Sequence, residues 1–259
     1  MKSELKVALI QSNLVWENPE QNRINFTNTI SAILEPVDVI ILPELFTSGF
    51  TMNPSQVAET MTGDTISWMQ KLANLKKSAI TGSIVIEEND HYYNRLLFIF
   101  PSGKIDYYDK KHTFTLAGEH KAYQAGSNLI TVSYLGWKIC PLVCYDLRFP
   151  VWSRNTNDYD VLLYVANWPK IRIAAWDTLL KARAIENMTY CIGVNRVGLD
   201  GNKHEYSGNS GAYDVLGKRM DTIPTGQEAT EIITLKKDHI SKYREKLGFL
   251  KDRDLFTLK

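Results

Sequence analysis

The sequence predicts an α/β fold in which helices cover sheets, on three observations. Residues 1–50 alternate strand, helix and strand. Residues 80–109 hold three apolar runs separated by turn clusters, and residues 160–197 repeat the strand–helix–strand order.

Lys6–Gln11 is a short apolar strand. Asn18-Pro19-Glu20-Gln21 opens a helix: an Asn cap, Pro at the first helical position, and Gln reaching back three residues later. Phe26, Ile30, Ile33 and Leu34 then share a helical face until Pro36 stops it. Val37–Leu42 is nearly continuous apolar sequence, as in a strand buried on both faces, and ends in Pro43-Glu44. A second helix is expected near Asp64–Lys77, with Trp68, Leu72 and Leu75 in step. Strands at Ile80–Glu87, Tyr92–Phe100 and Lys104–Asp109 read as an antiparallel meander, divided by Glu88-Asn89-Asp90 and Pro101-Ser102-Gly103. Residues 110–128 form a loop by pattern, long enough to favour a functional role.

Strands at Leu129–Ser133 and Trp137–Val143 lead into Cys144, followed by a short helix over Phe149–Arg154 and a strand over Asp160–Ala166. The strongest helix is Arg172–Asn187, with Ile173, Trp176, Leu180 and Ala184 on one face. Thr189–Val197 is the next strand, Asp200-Gly201 is a hairpin turn, and two or three strands fill Glu205–Leu235. The closing segment is basic and weakly amphipathic (Ile240, Tyr243, Leu247, Leu250). Without a linker or short-period repeat, 1–259 reads as one domain with 236–259 as a C-terminal extension.

Thirty Lys and Arg against twenty-nine Asp and Glu leave a net charge of +1, so no global field points to nucleic acid or an anionic membrane. The longest clean apolar run, Val161–Ala166, is far shorter than the roughly 20 residues that span a bilayer. The opening MKSELKVALIQ lacks a signal-peptide pattern, and a cytoplasmic location is expected. Cys140, Cys144 and Cys191 are too few for a disulfide framework and read as reduced thiols. The five scattered histidines and the Cys140–Cys144 spacing match no structural metal site.

Three residues stand where chemistry is possible. Cys144 falls where the apolar strand WKICPLV gives way to the polar YDLR, and ligands in α/β sheets bind beyond the carboxyl ends of strands. Taken alone it also reads as a small buried hydrophobe, the reading adopted for Cys140 and Cys191. Glu44 terminates the buried strand VIILP, where apolar surroundings raise a carboxyl toward the range a general base needs. Its plain alternative is a solvated loop acid. Lys110 can hold a developing oxyanion as a compact charge, or it can be one of two solvated cations with Lys111.

The strings around these residues resolve the choice. ILPELF (41–46), YDKKHTF (108–114) and CYDLRFP (144–150) resemble the three signature segments of the nitrilase, or carbon–nitrogen hydrolase, superfamily. The tract 166–198 (ANWPKIRIAAWDTLLKARAIENMTYCIGVNRVG) and YSGNSGAYDVLG (206–217) are similar to its later regions. The resemblance implies a four-layer αββα sandwich that assembles as a homodimer or larger. It implies Glu44 as general base, Lys110 as oxyanion lysine and Cys144 as nucleophile. Glu119 would position the lysine, the Tyr145 N–H would share the oxyanion, and His112 would brace its loop. Lys110 rather than Lys111 fits because the family pattern is Tyr-x-Lys-x-His-x-Phe. Asp109 and Thr113 depart from the family's usual Arg and Leu, changes expected at the pocket rim.

The implied chemistry is amide hydrolysis through a thioester, with no metal and no organic cofactor. A papain-like C-G-[SA]-C-[WY] run is absent, and the late His204-Glu205 lacks the spacer of a class I amidotransferase. CYDLRFPVW and ANWP look most like the omega-amidase branch, which implies 2-oxoglutaramate or 2-oxosuccinamate as substrate. Arg148 and Arg172 are then the candidates for the far carboxylate, with Phe114 and Trp168 as pocket walls. Another small amide, carbamoyl compound or nitrile is the alternative substrate within the family, and a catalytically silent scaffold of the same fold is the alternative from another function class.

Overall fold

The computed structural model describes residues 2–254, 256 and 257. Its first sheet is built on strand β1 (Glu4–Gln11), where nearly every side chain is buried. Leu5, Val7 and Leu9 turn to one core while Ala8 and Ile10 turn to another, so the apolar run serves both faces. Helix α1 (Pro19–Ser31) starts as expected: Asn18 Oδ1 accepts from the Gln21 N–H at 3.0 Å and Pro19 leads the first turn. It ends earlier than the sequence predicts. A helix carried on to Pro36 would drive its ring into the carbonyl of Ala32, so Leu34 lies beyond the helix and is 93% exposed.

Strand β2 (Val39–Ile41) leads toward Glu44, and helix α2 (Asp64–Lys76) covers the sheet with Ile66, Met69, Leu72 and Ala73. Leu75 lies outside that stripe, 69% exposed. Strands β3 (Ala79–Glu88), β4 (His91–Ile99) and β5 (Ile105–Asp109) form the antiparallel meander. The segment after β5 is not plain loop: it holds a 3₁₀ turn at Thr115–Ala117 and a one-turn helix α3 (Glu119–Ala122).

The second sheet contains β6 (Val132–Tyr134), β7 (Trp137–Val143), β8 (Val161–Ala166) and, after helix α4 (Ile173–Asn187), β9 (Tyr190–Asn195). The helix expected at Phe149–Arg154 does not form. A 3₁₀ turn occupies Cys144–Arg148 instead, and Pro150 holds Phe149 at φ −115°, ψ 85°, outside the helical region. Gly193 lets α4 sit close on β9, because a Cβ there would lie 2.5 Å from Leu180 Cδ1 and 2.6 Å from a Trp176 ring carbon. A two-stranded hairpin, β10 (Val197–Leu199) with β11 (Glu205–Ser207), precedes β12 (Gly211–Tyr213), β13 (Ala229–Lys236) and helix α5 (Lys237–Leu247).

The strand orders are β13-β1-β2-β3-β4-β5 and β12-β9-β8-β7-β6. β1, β2 and β3 run parallel, as do β7, β8 and β9. The two sheets face each other across a core of Leu5, Val7, Phe98, Ile139 and Leu163, with α1 and α2 outside one and α4 outside the other. This is the αββα sandwich. The basic closing segment packs on its own chain over its described part: Ile240 is buried, Arg244 Nε donates to the Met188 carbonyl at 2.8 Å, and Lys237 pairs with Asp160. Residues 255, 258 and 259 lie outside the described residues.

Candidate active site

Four strands of the two sheets deliver polar residues to one place: β2 leads to Glu44, β5 to Lys110, β7 to Cys144 and β8 to Asn167. Cys144 is forced into a left-handed conformation, φ +46°, which a non-glycine residue adopts at a cost of about 1–2 kcal/mol. Asp146 holds the bend. Its Oδ2 accepts from the Val143 N–H at 3.0 Å and from Tyr108 at 2.8 Å, and its Oδ1 accepts from the His112 N–H at 3.0 Å and meets His112 Nδ1 at 2.7 Å. One buried carboxylate thus ties the cysteine turn to the lysine loop. His112 stacks on Phe149 with centroids 3.6 Å apart, the bracing place expected of it.

Lys110 Nζ donates to Glu44 Oε1 and to both oxygens of Glu119, each at 2.9 Å, and all three side chains are at most 1% exposed. Burial alone would strip the Lys110 proton, but Glu119 and Glu44 outweigh it and hold the ammonium pKa well above its ordinary value. Burial raises Glu119 despite the Lys110 charge beside it. The other oxygen of Glu44 accepts from the Asn167 N–H at 2.7 Å, and Asn167 Nδ2 donates to the Glu44 carbonyl at 2.6 Å. At Cys144, burial first and the Glu44 charge next push the thiol well above its usual range, and Lys110 recovers only part of that. The resting thiol is therefore protonated, with a carboxylate beside it to take the proton.

A cavity of about 330 Å³ opens over this floor. Phe114, Tyr145, Arg148, Trp168 and Arg172 line it together with Lys110 and Cys144, so every sequence-named site residue except the buried Glu44 and Glu119 borders the space. The Arg148 guanidinium lies 4.8 Å from the Trp168 ring centre and that of Arg172 lies 5.2 Å from the Phe114 ring centre. Neither has an acidic partner among the described residues. Among the described residues no group of His, Cys, Asp and Glu is arranged to hold a metal ion, and no helix is long and apolar enough to cross a membrane.

The sequence matches the carbon-nitrogen hydrolase family over residues 6–245. The chain belongs to the carbon–nitrogen hydrolase family. Omega-amidase YafV of Yersinia enterocolitica is 45% identical over 99% of this chain and 99% of that protein. A 2-oxoglutaramate amidase of Bacillus subtilis is 32% identical over 82% of this chain and 83% of its own length. The solved structure of a CN-hydrolase superfamily protein from Xanthomonas campestris, bearing an arsenic adduct in its active site, superposes with a TM-score of 0.97 at 39% identity, covering both chains fully.

Several residues of this carbon–nitrogen hydrolase were not singled out by sequence. Asp146 sits inside the CYDLRFP string, and Asn167 inside ANWP, but neither had a stated role. Phe50, whose ring centre is 5.2 Å from Lys110 Nζ, and the hairpin residues Asp200, His204 and Tyr206 also border the cavity. Asp109 is a correction: it does not reach the pocket rim but pairs with buried Arg95 across the β4–β5 ladder, Oδ1 to Nε at 2.7 Å. An acid at that position satisfies a buried cation.

Proposed function

We propose that this carbon–nitrogen hydrolase cleaves the terminal amide of a small 2-oxo dicarboxylic acid monoamide, 2-oxoglutaramate or 2-oxosuccinamate, releasing ammonia and the oxo acid. One observation carries the reading: Cys144 and Lys110, with Glu44 bonded to Lys110 just beneath, lie at the floor of a cavity whose wall presents two arginines without acidic partners among the described residues. The omega-amidase name of the full-length relative supports the substrate class.

Glu44 takes the Cys144 proton as Sγ attacks the amide carbon. The oxygen that becomes negative is met by the Lys110 ammonium and by the Tyr145 N–H, at the start of a 3₁₀ turn whose leading N–H groups have no acceptor within the turn. Glu44 then hands its proton to the nitrogen, the C–N bond breaks, and ammonia leaves a thioester. Glu44 next removes a proton from water, the hydroxide attacks the thioester, and the C–S bond breaks. The thiolate recovers the proton from Glu44. Glu119 keeps Lys110 in place throughout, since both its oxygens are committed to Nζ. Arg148 or Arg172 takes the distal carboxylate, with Trp168 and Phe114 flattening the chain between.

The same proposal places the enzyme in the cytoplasm as one domain, with 236–259 as an extension and a homodimer as the smallest assembly. Three free buried cysteines agree with a reducing compartment. Ammonia release from 2-oxoglutaramate, 2-oxosuccinamate, glutamine, asparagine and a nitrile tests the substrate. The oxo amides should lead in kcat/KM by at least about tenfold, roughly 1.4 kcal/mol of transition-state preference. Preference for a nitrile or an N-carbamoyl compound would overturn the substrate and leave the family untouched.

A further inference from the structure

The Glu44–Lys110–Glu119 cluster is held by one further buried side chain, Asn94. Asn94 lies in β4 and is 1% exposed. Its Nδ2 donates to Glu44 Oε1 at 2.8 Å and reaches Glu119 Oε1 at 3.4 Å, and its carbonyl accepts from the Lys110 N–H at 3.0 Å. One residue therefore touches all three members of the buried ion cluster. Its own Oδ1 is buried without a partner among the described residues. Turning the amide over would set that oxygen against two carboxylates, so charge fixes which end faces them. A buried acceptor left unpaired is a standing cost that an apolar side chain of equal size would not carry.

The next residue shows how the amide is aimed. Arg95, register partner of Asp109, grips it through Nε at 2.7 Å and Nη2 at 2.9 Å, and Nη2 also reaches Glu88 at 3.0 Å. The rings of Tyr107 and Tyr93 lie 4.1 and 5.2 Å from the guanidinium carbon. Side chains alternate along a strand, so this pair locks one face of the β4–β5 ladder beside the point where Asn94 and Lys110 enter the site from the other.

We infer that Asn94 is a positioning residue: its amide holds Glu44 and Glu119 side by side around the single Lys110 ammonium, and the Arg95–Asp109 pair fixes the strand that aims it. The inference rests on the proposed roles of Glu44, Lys110 and Cys144. Two carboxylates that share one cation repel each other, and each N–H donor favours their charged form. The groups facing them are Lys110 at the end of β5, Cys144 at the end of β7, and Tyr123 just past α3, whose hydroxyl also feels Glu17. Burial already raises Glu119, so without the Asn94 donor Glu119 takes up a proton at higher pH and the cluster fails sooner on the acid side.

The test compares full-length wild type, Asn94→Leu, Asn94→Asp and Cys144→Ala for ammonia release from 2-oxoglutaramate across about pH 5–9, with thermal melting of each. Asn94→Leu should keep or raise Tm and lose about 10–100-fold in kcat, with KM within about threefold. The acidic limb of its kcat/KM profile should move up by about one pH unit. Asn94→Asp can donate only while protonated, so its activity should fall as pH rises. An Asn94→Leu enzyme with wild-type kcat and acidic limb overturns the inference. So does an Asn94→Asp enzyme with the wild-type profile, even where the leucine variant fails to fold. Turnover by Cys144→Ala would instead remove the catalytic reading, whatever the Asn94 variants do.

Discussion

Lys110→Arg separates charge from position at the centre of the site. Nζ donates at 2.9 Å to three carboxylate oxygens, and the side chain is 1% exposed. Arginine keeps the positive charge, so Glu44 and Glu119 stay compensated and the loss of about 3–5 kcal/mol for orphaning a buried charge is avoided. The guanidinium is larger and planar, however, and overpacks a filled space at about 1–3 kcal/mol. For a chain of this size each kcal/mol lowers Tm by roughly 2–4 °C. The oxyanion loses its donor at the right place, which costs about 10²–10³-fold in kcat, or roughly 2.7–4 kcal/mol. Lys111 is the control: its ammonium lies 5.6 Å from the Trp152 ring centre and its N–H donates to the Tyr108 hydroxyl, both away from Glu44 and Glu119. Steady-state kinetics on Lys111→Ala should stay within about threefold of wild type. An active Lys110→Arg enzyme, or a dead Lys111→Ala enzyme with normal melting, would refute the assignment of the lysine.

Further outcomes follow from the same geometry. Asp146→Asn leaves donors facing an amide nitrogen, so melting should fall by the equivalent of about 1–3 kcal/mol and kcat should drop, because the Cys144 turn loosens; unchanged kinetics and melting would contradict the brace. Arg148→Ala or Arg172→Ala should raise KM for 2-oxoglutaramate by about tenfold or more while sparing a neutral amide of similar length; equal effects on both substrates would remove the carboxylate role. Burial raises the Cys140, Cys191, Tyr159 and Tyr164 pKa values above those of the unfolded chain, so the native state keeps protons that the unfolded state releases. That stability is whole below about pH 8.5 and declines as pH rises through the thiol and tyrosine range, so the urea midpoint should be lower at about pH 10 than at about pH 7.5. A flat or rising midpoint would contradict the sign.

The proposed catalytic trio was legible because each member closes a strand within its own short string. Glu44 ends the apolar run VIILP, Lys110 follows β5, and Cys144 ends WKICPLV. Boundaries near prolines were read less well: Pro36 ends α1 five residues before itself, and Pro150 keeps Phe149 from starting a helix. The supporting residues were harder, because their meaning lies in partners far along the chain. Asn94 acts on Glu44, fifty positions away, and Asn167 acts on Glu44 across 123. A trace was present in YYNRLLFIF, where two polar residues interrupt a strand otherwise apolar from its middle onward. Arg95 and Asp109 could not be paired before the register of β4 against β5 was known.

Covalent catalysis at Cys144 is the claim on which the rest depends. Intact-mass spectra of wild-type enzyme, quenched during turnover of a slow oxo amide and followed by peptide mapping, test it most directly. A mass gain equal to the substrate less ammonia should appear on the peptide holding Cys144, and both adduct and ammonia release should vanish in Cys144→Ala. Ammonia release that persists in Cys144→Ala, or an adduct on Cys140 or Cys191 instead, would contradict it.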